Sequence, residues 1–131
     1  MTTSPAKIGE DYASAWSSGS PAAVAAFYAE DGRIVVNRGA PSVGRQAIAE
    51  MAAGFYAAFP GLVVRCDACR LAGRHALFAW TLEGRHAKTH NVVRVGGWEE
   101  WELDDALQIT ASMGWFDVAD YEAQIVGRPG G

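Results

Sequence analysis

The chain has 131 residues, half of them apolar, a formal charge of -4 at pH 7 and a sequence isoelectric point near 5.3. That size supports one domain over residues 1–131 with a substantial core, ordered from about residue 5 to 126, and a frayed end at 127–131. The eleven Lys and Arg residues are scattered, so nucleic acid is excluded as a partner; with no apolar run behind a basic start and no stretch long enough to span a bilayer, a cytoplasmic protein away from membranes is expected.

In chain order, Ile8, Tyr12, Ala15 and Trp16 recur at spacings of three and four and predict a first helix, ended by Gly19. Ser20-Pro21 is an N-cap followed by proline at the first helical position, and Val24, Phe27 and Tyr28 continue a short second helix. Ala29-Glu30-Asp31-Gly32 reads as a turn. The β-branched run Arg33-Ile34-Val35-Val36-Asn37 predicts a first strand, and Arg38–Ser42 a loop. Ser42 or Gly44 begins a third helix carrying Ile48, Met51, Ala52, Phe55, Tyr56 and Phe59, stopped by Pro60-Gly61.

The remainder reads largely as strand, at about 62–72, 75–86, 92–103 and 107–117. Turns fall at Ala72-Gly73-Arg74, around His86–His90 and at Asp104-Asp105. Val118–Val126 is a weak helix or an extended tail. Cys66 and Cys69 form a C-x-x-C spacing, but on a strand residues three apart point to opposite faces and no second pair completes a tetrahedral site. Two reduced thiols in a sheet are expected, and no metal site.

Segregated helices followed by consecutive strands predict an α+β layer arrangement, with three N-terminal helices packed on a strongly curved, mainly antiparallel sheet that encloses a cone. The lining and mouth of that cone become the candidate site.

Several segments carry a family resemblance. Tyr12-Ala-Ser-Ala-Trp16, Gly19-Ser-Pro and Phe27-Tyr-Ala-Glu-Asp31-Gly look like an opening of helix, short helix and acidic turn, and Gly44-Arg-Gln-Ala-Ile48 with Phe59-Pro-Gly-Leu62 like a third helix leading into the sheet. Gly97-Trp-Glu-Glu-Trp-Glu-Leu103 and Gly114-Trp-Phe-Asp-Val-Ala-Asp-Tyr-Glu-Ala-Gln-Ile125 look like the ending. In this order the chain resembles the SnoaL-like, polyketide cyclase-like branch of the nuclear transport factor 2-like superfamily, which also includes steroid isomerases and limonene epoxide hydrolases. The resemblance implies a cone-shaped α+β barrel, cofactor-free chemistry and a homodimer through the outer face of the sheet. Two departures stand out. Val35-Val36-Asn37-Arg38 lacks the Asp base that steroid isomerases carry there, and the loop Gly84–Asn91 is shorter than in many cyclases. The Asp-Arg-Asp set of the epoxide hydrolases is not found.

Alternation along the strands nominates the side chains. Phe78, Trp80 and Leu82 share a face, with His86 if the strand continues. Glu99, Trp101 and Leu103 share another, leaving Trp98, Glu100 and Glu102 outside. Ile109, Ala111, Met113, Trp115 and Asp117 align on the last strand. If the more apolar faces are concave, Trp80, Trp101, Met113 and Trp115 wall a pocket, with His86, Trp16 and Tyr56 as further substrate contacts. A carboxyl group enclosed by tryptophans is disfavoured in its charged form and suited to acid or base work, which places Glu99 and Asp117 first as catalytic groups. Tyr12 resembles the tyrosine that donates to the substrate oxygen in steroid isomerases. The plain alternatives are a solvated or arginine-paired Glu99 (with Arg85 or Arg94), Asp117 as a helix cap, Tyr12 as core packing, and His86 as an exposed turn residue.

Two functions follow. One is a cofactor-free isomerase or cyclase acting on an apolar carbonyl compound, polycyclic ones included. The other is a non-catalytic domain that binds a small apolar ligand or only dimerises, which the missing first-strand base favours.

Overall fold

In the computed structural model, which describes residues 5–127, four helices pack on one six-stranded sheet. The elements are α1 (Pro5–Ser17), α2 (Pro21–Ala25), β1 (Tyr28–Val36), β2 (Ser42–Val43), α3 (Arg45–Ala58), β3 (Val63–Ala72), β4 (His75–Arg85), β5 (Val92–Leu103), β6 (Ile109–Phe116) and α4 (Val118–Val126). The strands lie in the order β2-β1-β6-β5-β4-β3; β1 and β6 run parallel and the other neighbours antiparallel. The sheet is open, and the arrangement is the expected α+β cone. Among the described residues no helix is long and apolar enough to cross a membrane. Of the expected frayed end, residues 128–131 lie outside the described residues.

The periodic residues of α1 face inward: Ile8, Tyr12, Ala15 and Trp16 are buried, while Lys7 and Asp11 form an exposed i, i+4 ion pair at 2.7 Å. The end of α1 is stitched to the sheet by one hydroxyl. Ser17 Oγ donates to the Val64 carbonyl at 3.0 Å and accepts from the Val64 N–H at 2.9 Å. Ser20 caps α2 by accepting from the Ala23 N–H, as its place before Pro21 predicts. Tyr12, Tyr28, Phe59, Phe78 and Trp101 are the largest fully buried side chains, each contributing about 1.5–3 kcal/mol through removal from water.

Three local expectations are corrected. Tyr28 opens β1 rather than continuing the second helix, because Ile109 donates its N–H to the Phe27 carbonyl at 2.9 Å and pairs with Tyr28 in the parallel ladder. The stretch 29–32 is a bulge inside β1, not a turn. There Gly32 is buried against the Ile109 carbonyl, 2.7 Å from where a Cβ would stand, so only glycine lets β1 and β6 close at that point. The cysteines are the third. A register shift between Cys66 and Ala68 inserts Asp67 as an extra residue, so Cys66 pairs with Trp80 and Cys69 with Phe78, residues on one face of β4. Both side chains therefore turn toward α1, where a Cβ on Gly9 would meet Cys69 Cβ at 2.7 Å and Cys66 Sγ at 2.8 Å. They are free thiols, and burial raises both pKa values, that of Cys69 to about 11.

Candidate functional site

Between the concave face of the sheet and helices α1, α3 and α4 lies a cavity of about 50 Å³. Trp16, Met51 and Phe55 contribute from the helices, Phe78, Trp80 and Leu82 from β4, and Gly114 and Phe116 from β6, with Tyr121 closing the α4 side. The β4 trio follows the period of two expected for a strand. A cavity of this size holds a few waters, and its walls are almost wholly apolar.

The exception is Glu99, which lines the cavity at 7% exposure and is the one buried charged residue among those described. Its strand position explains its isolation. It lies between Phe78 on β4 and Gly114 on β6, and the missing side chain of Gly114 leaves room for Glu99, whose Cγ comes within 3.3 Å of where a Cβ would sit. Three donors converge on its Oε1: Ser112 Oγ at 2.8 Å, Trp101 Nε1 at 2.9 Å and Tyr12 Oη at 3.4 Å. The Tyr12 and Tyr28 hydroxyls are hydrogen-bonded to each other at 2.7 Å, extending the network to a second buried phenol.

Neither arginine weighed as a partner for Glu99 reaches it. Arg85 donates to the His90 carbonyl at 2.7 Å, and Arg94 faces Glu83 at 3.6 Å. Burial therefore dominates and raises the Glu99 pKa above the ordinary glutamate value, while the bonds from Trp101, Ser112 and Tyr12 draw it part of the way back. Burial, reinforced by the nearby carboxylate, holds the Tyr12 and Tyr28 phenols well above the usual tyrosine range. They remain protonated donors.

The other nominated residues separate by place. Trp16 and Trp80 line the cavity. Tyr12 and Trp101 are fully buried behind Glu99 and touch its carboxyl group rather than the cavity. Tyr56 likewise backs the wall, donating its hydroxyl to the Trp16 carbonyl at 2.7 Å, and His86 packs on Phe59 while its Nδ1 accepts from the turn N–H groups of Lys88 and Thr89.

Met113, Trp115 and Asp117 require correction. A register shift beside Ile109 breaks the alternation of β6, so that Ser112, Gly114 and Phe116 face inward and Met113, 48% exposed, and Trp115 face outward. Trp115 rests against Trp98 on the outer face, ring centroids 5.9 Å apart. Asp117 is exposed and caps α4, its Oδ1 accepting from the Asp120 N–H at 3.0 Å.

Sequence reasoning missed Ser112 and Tyr28, the two remaining members of the hydroxyl network. A serine inside a largely apolar strand is the available signal for Ser112; Tyr28 is hidden by the helical spacing that it continues. Asn37 stands near the end of β1 where a steroid isomerase base would be expected. Its Oδ1 accepts from the Phe116 N–H at 2.9 Å and its own N–H donates to the Gly114 carbonyl at 2.8 Å, making it a clamp between β1 and β6. Among the described residues no group of three or more His, Cys, Asp or Glu side chains is placed to hold a metal ion.

The model of the SnoaL-like domain family matches residues 10–111. No curated protein matches the sequence. Among solved structures, a protein of ketosteroid isomerase-like fold from Catenulispora acidiphila, in complex with trimethylamine, superposes at a TM-score of 0.85 with 23% identity, covering 94% of each chain. A protein provisionally described as a SnoaL-like polyketide cyclase, from Jannaschia sp. CCS1, reaches 0.78 with 16% identity over 98% of this chain and 99% of its own. Another provisionally described as a polyketide cyclase, from Xanthomonas campestris pv. campestris, reaches 0.76 with 20% identity over 90% and 93%. At these identities the likeness is one of fold.

Proposed function

The chain belongs to the SnoaL-like domain family, and from that premise we propose that it is a cofactor-free acid/base enzyme, an isomerase or cyclase acting on a small apolar carbonyl compound. The observation that carries this reading is Glu99: a carboxyl group on the wall of an apolar cavity, without a cation beside it, its pKa raised by burial. A raised pKa brings a carboxyl group closer to the operating pH, where it both takes and returns a proton efficiently.

In the proposed step the Glu99 carboxylate removes a proton from the carbon next to the carbonyl. The C–H electron pair forms the enolate double bond and the carbonyl pair moves onto oxygen. Where the enolate is conjugated with a C=C bond, return of the proton from Glu99 to the far carbon gives isomerisation; attack of the enolate carbon on a second carbonyl carbon, whose C=O electron pair moves onto its oxygen and takes the proton from Glu99, gives cyclisation. Ser112, Trp101 and Tyr12 hold the carboxyl group in place from behind, and the apolar walls exclude water from the enolate. A cavity of about 50 Å³ suits a compact substrate or the reactive end of a larger one.

The test is exchange of the acidic C–H protons of a panel of ketones in D2O, followed by NMR, with the wild type and Glu99→Gln. Exchange catalysed by the wild type and lost in the variant supports the reading. Binding by both proteins without exchange favours a carrier pocket. That second reading has its own observation: all three hydrogen bonds to Glu99 fall on a single oxygen, an arrangement that also suits a purely structural buried acid.

We further infer a homodimer through the outer face of the sheet. Trp98, Met113 and Leu77 are exposed there at 43%, 48% and 38%, in adjacent rows set by the pairs Leu77↔Glu100, Glu100↔Met113 and Trp98↔Trp115. His75 with Glu100 and Glu102, and Arg65 and Arg94 with Glu83, give this face both signs of charge, which a two-fold related copy can meet in opposition.

A further inference from the structure

Trp80 lines the same cavity as Glu99, and its Nε1 is buried with no hydrogen-bond acceptor among the described residues, the one buried side-chain polar atom there of which this is true. An indole N–H is a donor only, and leaving it buried and unmade costs about 1–3 kcal/mol. The edge-on contact with Phe116, ring centroids 6.0 Å apart, offers it neither oxygen nor nitrogen. The ring is also held in place. Trp80 pairs with Gly97, and a Cβ on Gly97 would stand 2.6 Å from Trp80 Cζ2, so the indole lies across a position kept free of side chain.

We propose that Trp80 Nε1 is the group that recognises the ligand's oxygen, and that the ligand class is a compact, uncharged apolar molecule with a single carbonyl acceptor. This rests on reading the cavity as the ligand site.

The sheet sets the spacing. Glu99 is two residues beyond Gly97 on β5 and faces the same side, and two residues along a strand span about 6.6 Å. In the proposed complex the carbonyl oxygen accepts from the indole nitrogen at about 3 Å and the neighbouring carbon faces the Glu99 side of the cavity. The two polar groups thus address the two atoms that change in enolisation: Glu99 receives the proton, while Trp80 donates a hydrogen bond to the oxygen that gains charge and keeps its own proton. The cavity lining includes no Lys, Arg or His, so carboxylates and phosphates find no counter-charge in it.

The test uses two molecules of nearly the same shape, cyclohexanone and methylenecyclohexane, titrated into protein labelled with 15N at the tryptophan indoles. Cyclohexanone is expected to bind about 5- to 150-fold more tightly, the equivalent of satisfying one buried donor. It should move the Trp80 indole proton downfield, where methylenecyclohexane does not; that resonance is assigned by its contacts to Gly97 and Phe116. In Trp80→Phe the preference should fall to about one. The wild-type titration decides the matter even if that variant fails to fold. Equal affinity for both compounds, an indole signal that moves with both or neither, or no binding of either at its solubility limit overturns the assignment. Proton exchange of cyclohexanone in D2O keeps the two ideas apart. Exchange without a ketone preference removes Trp80 and leaves Glu99; a ketone preference without exchange keeps Trp80 as a recognition group and removes the catalytic reading.

Discussion

Trp101 donates its indole N–H to Glu99 Oε1 over 2.9 Å, a bond between two residues on the same face of β5. The same ring stacks on Phe78, centroids 5.1 Å apart and planes 20° from parallel. One side chain therefore fixes the carboxyl group and builds the apolar layer that raises its pKa. The two effects oppose each other, and burial is the larger. A group whose pKa is raised on folding stabilises the fold below the unfolded value, and that contribution is lost as pH rises through the folded value.

For Glu99 the window opens at about pH 4.3, the ordinary glutamate value, and extends upward. The wild type should lose stability across it, because the carboxyl group ionises less readily in the fold than in the unfolded chain. Glu99→Gln keeps the volume and removes the titration, so urea midpoints measured from pH 4 to pH 9 should fall less steeply in the variant. Parallel curves would mean that Glu99 does not titrate abnormally.

Ser112→Ala removes a donor at 2.8 Å from Glu99 Oε1 with little change in packing. The ionised carboxyl group loses more from this than the neutral one, so the Glu99 pKa should rise further, and at neutral pH the fold should lose about 1–3 kcal/mol. If Glu99 is the base, the rising limb of the pH–rate profile moves to higher pH in step. A stability loss with an unmoved profile would detach Ser112 from the chemistry.

The sequence made Glu99 legible because β5 alternates without a break around it, and the parity that buries Trp101 and Leu103 also buries Glu99. The same argument failed on β6, where one register shift beside Ile109 reverses the faces of Met113 and Trp115. It failed again at Cys66 and Cys69, where Asp67 is the extra residue. Bulges depend on what the neighbouring strand presents, which a single strand's pattern does not encode. The closure of β1 on β6 was hidden for a related reason: Ala29-Glu-Asp-Gly32 has turn chemistry, and only the Ile109 carbonyl against Gly32 makes it a bulge.

Asp117→Ala separates a cap from a catalyst. Asp117 accepts from the Asp120 N–H at the start of α4, and losing such a cap costs about 0.5–2 kcal/mol. Stability should fall by that amount while ketone exchange at saturating substrate is unchanged; Asp117→Ser, which still caps, should restore most of the stability. Loss of exchange in a folded Asp117→Ser protein would return Asp117 to the site.

Trp98→Glu tests the dimer without touching the cavity. Trp98 is on the outer face, and a charge at the centre of that patch would have to be buried on association. Light scattering at micromolar concentration should give twice the chain mass for the wild type and the monomer mass for the variant. A wild-type monomer sinks the proposed interface.

Gly97→Ala probes the seat of Trp80. The backbone at Gly97 is not in the left-handed region, so alanine brings no conformational penalty there and its effect is steric. The new methyl group would press first on the Trp115 carbonyl and would also stand 2.6 Å from Trp80 Cζ2. The indole has to move, and the expected result is a loss of about 1–3 kcal/mol together with weaker ketone binding. Gly96→Ala is the control: its Cβ would meet nothing closer than the Trp80 carbonyl at 3.6 Å, an ordinary contact, and the change should be near neutral. Adding Trp80→Phe to Gly97→Ala removes the ring edge in the way, so the double variant should be more stable than the sum of the single changes predicts, though not fully restored, since the Trp115 carbonyl still obstructs. Strict additivity in urea unfolding would show that Gly97 is not what holds the indole in the cavity wall.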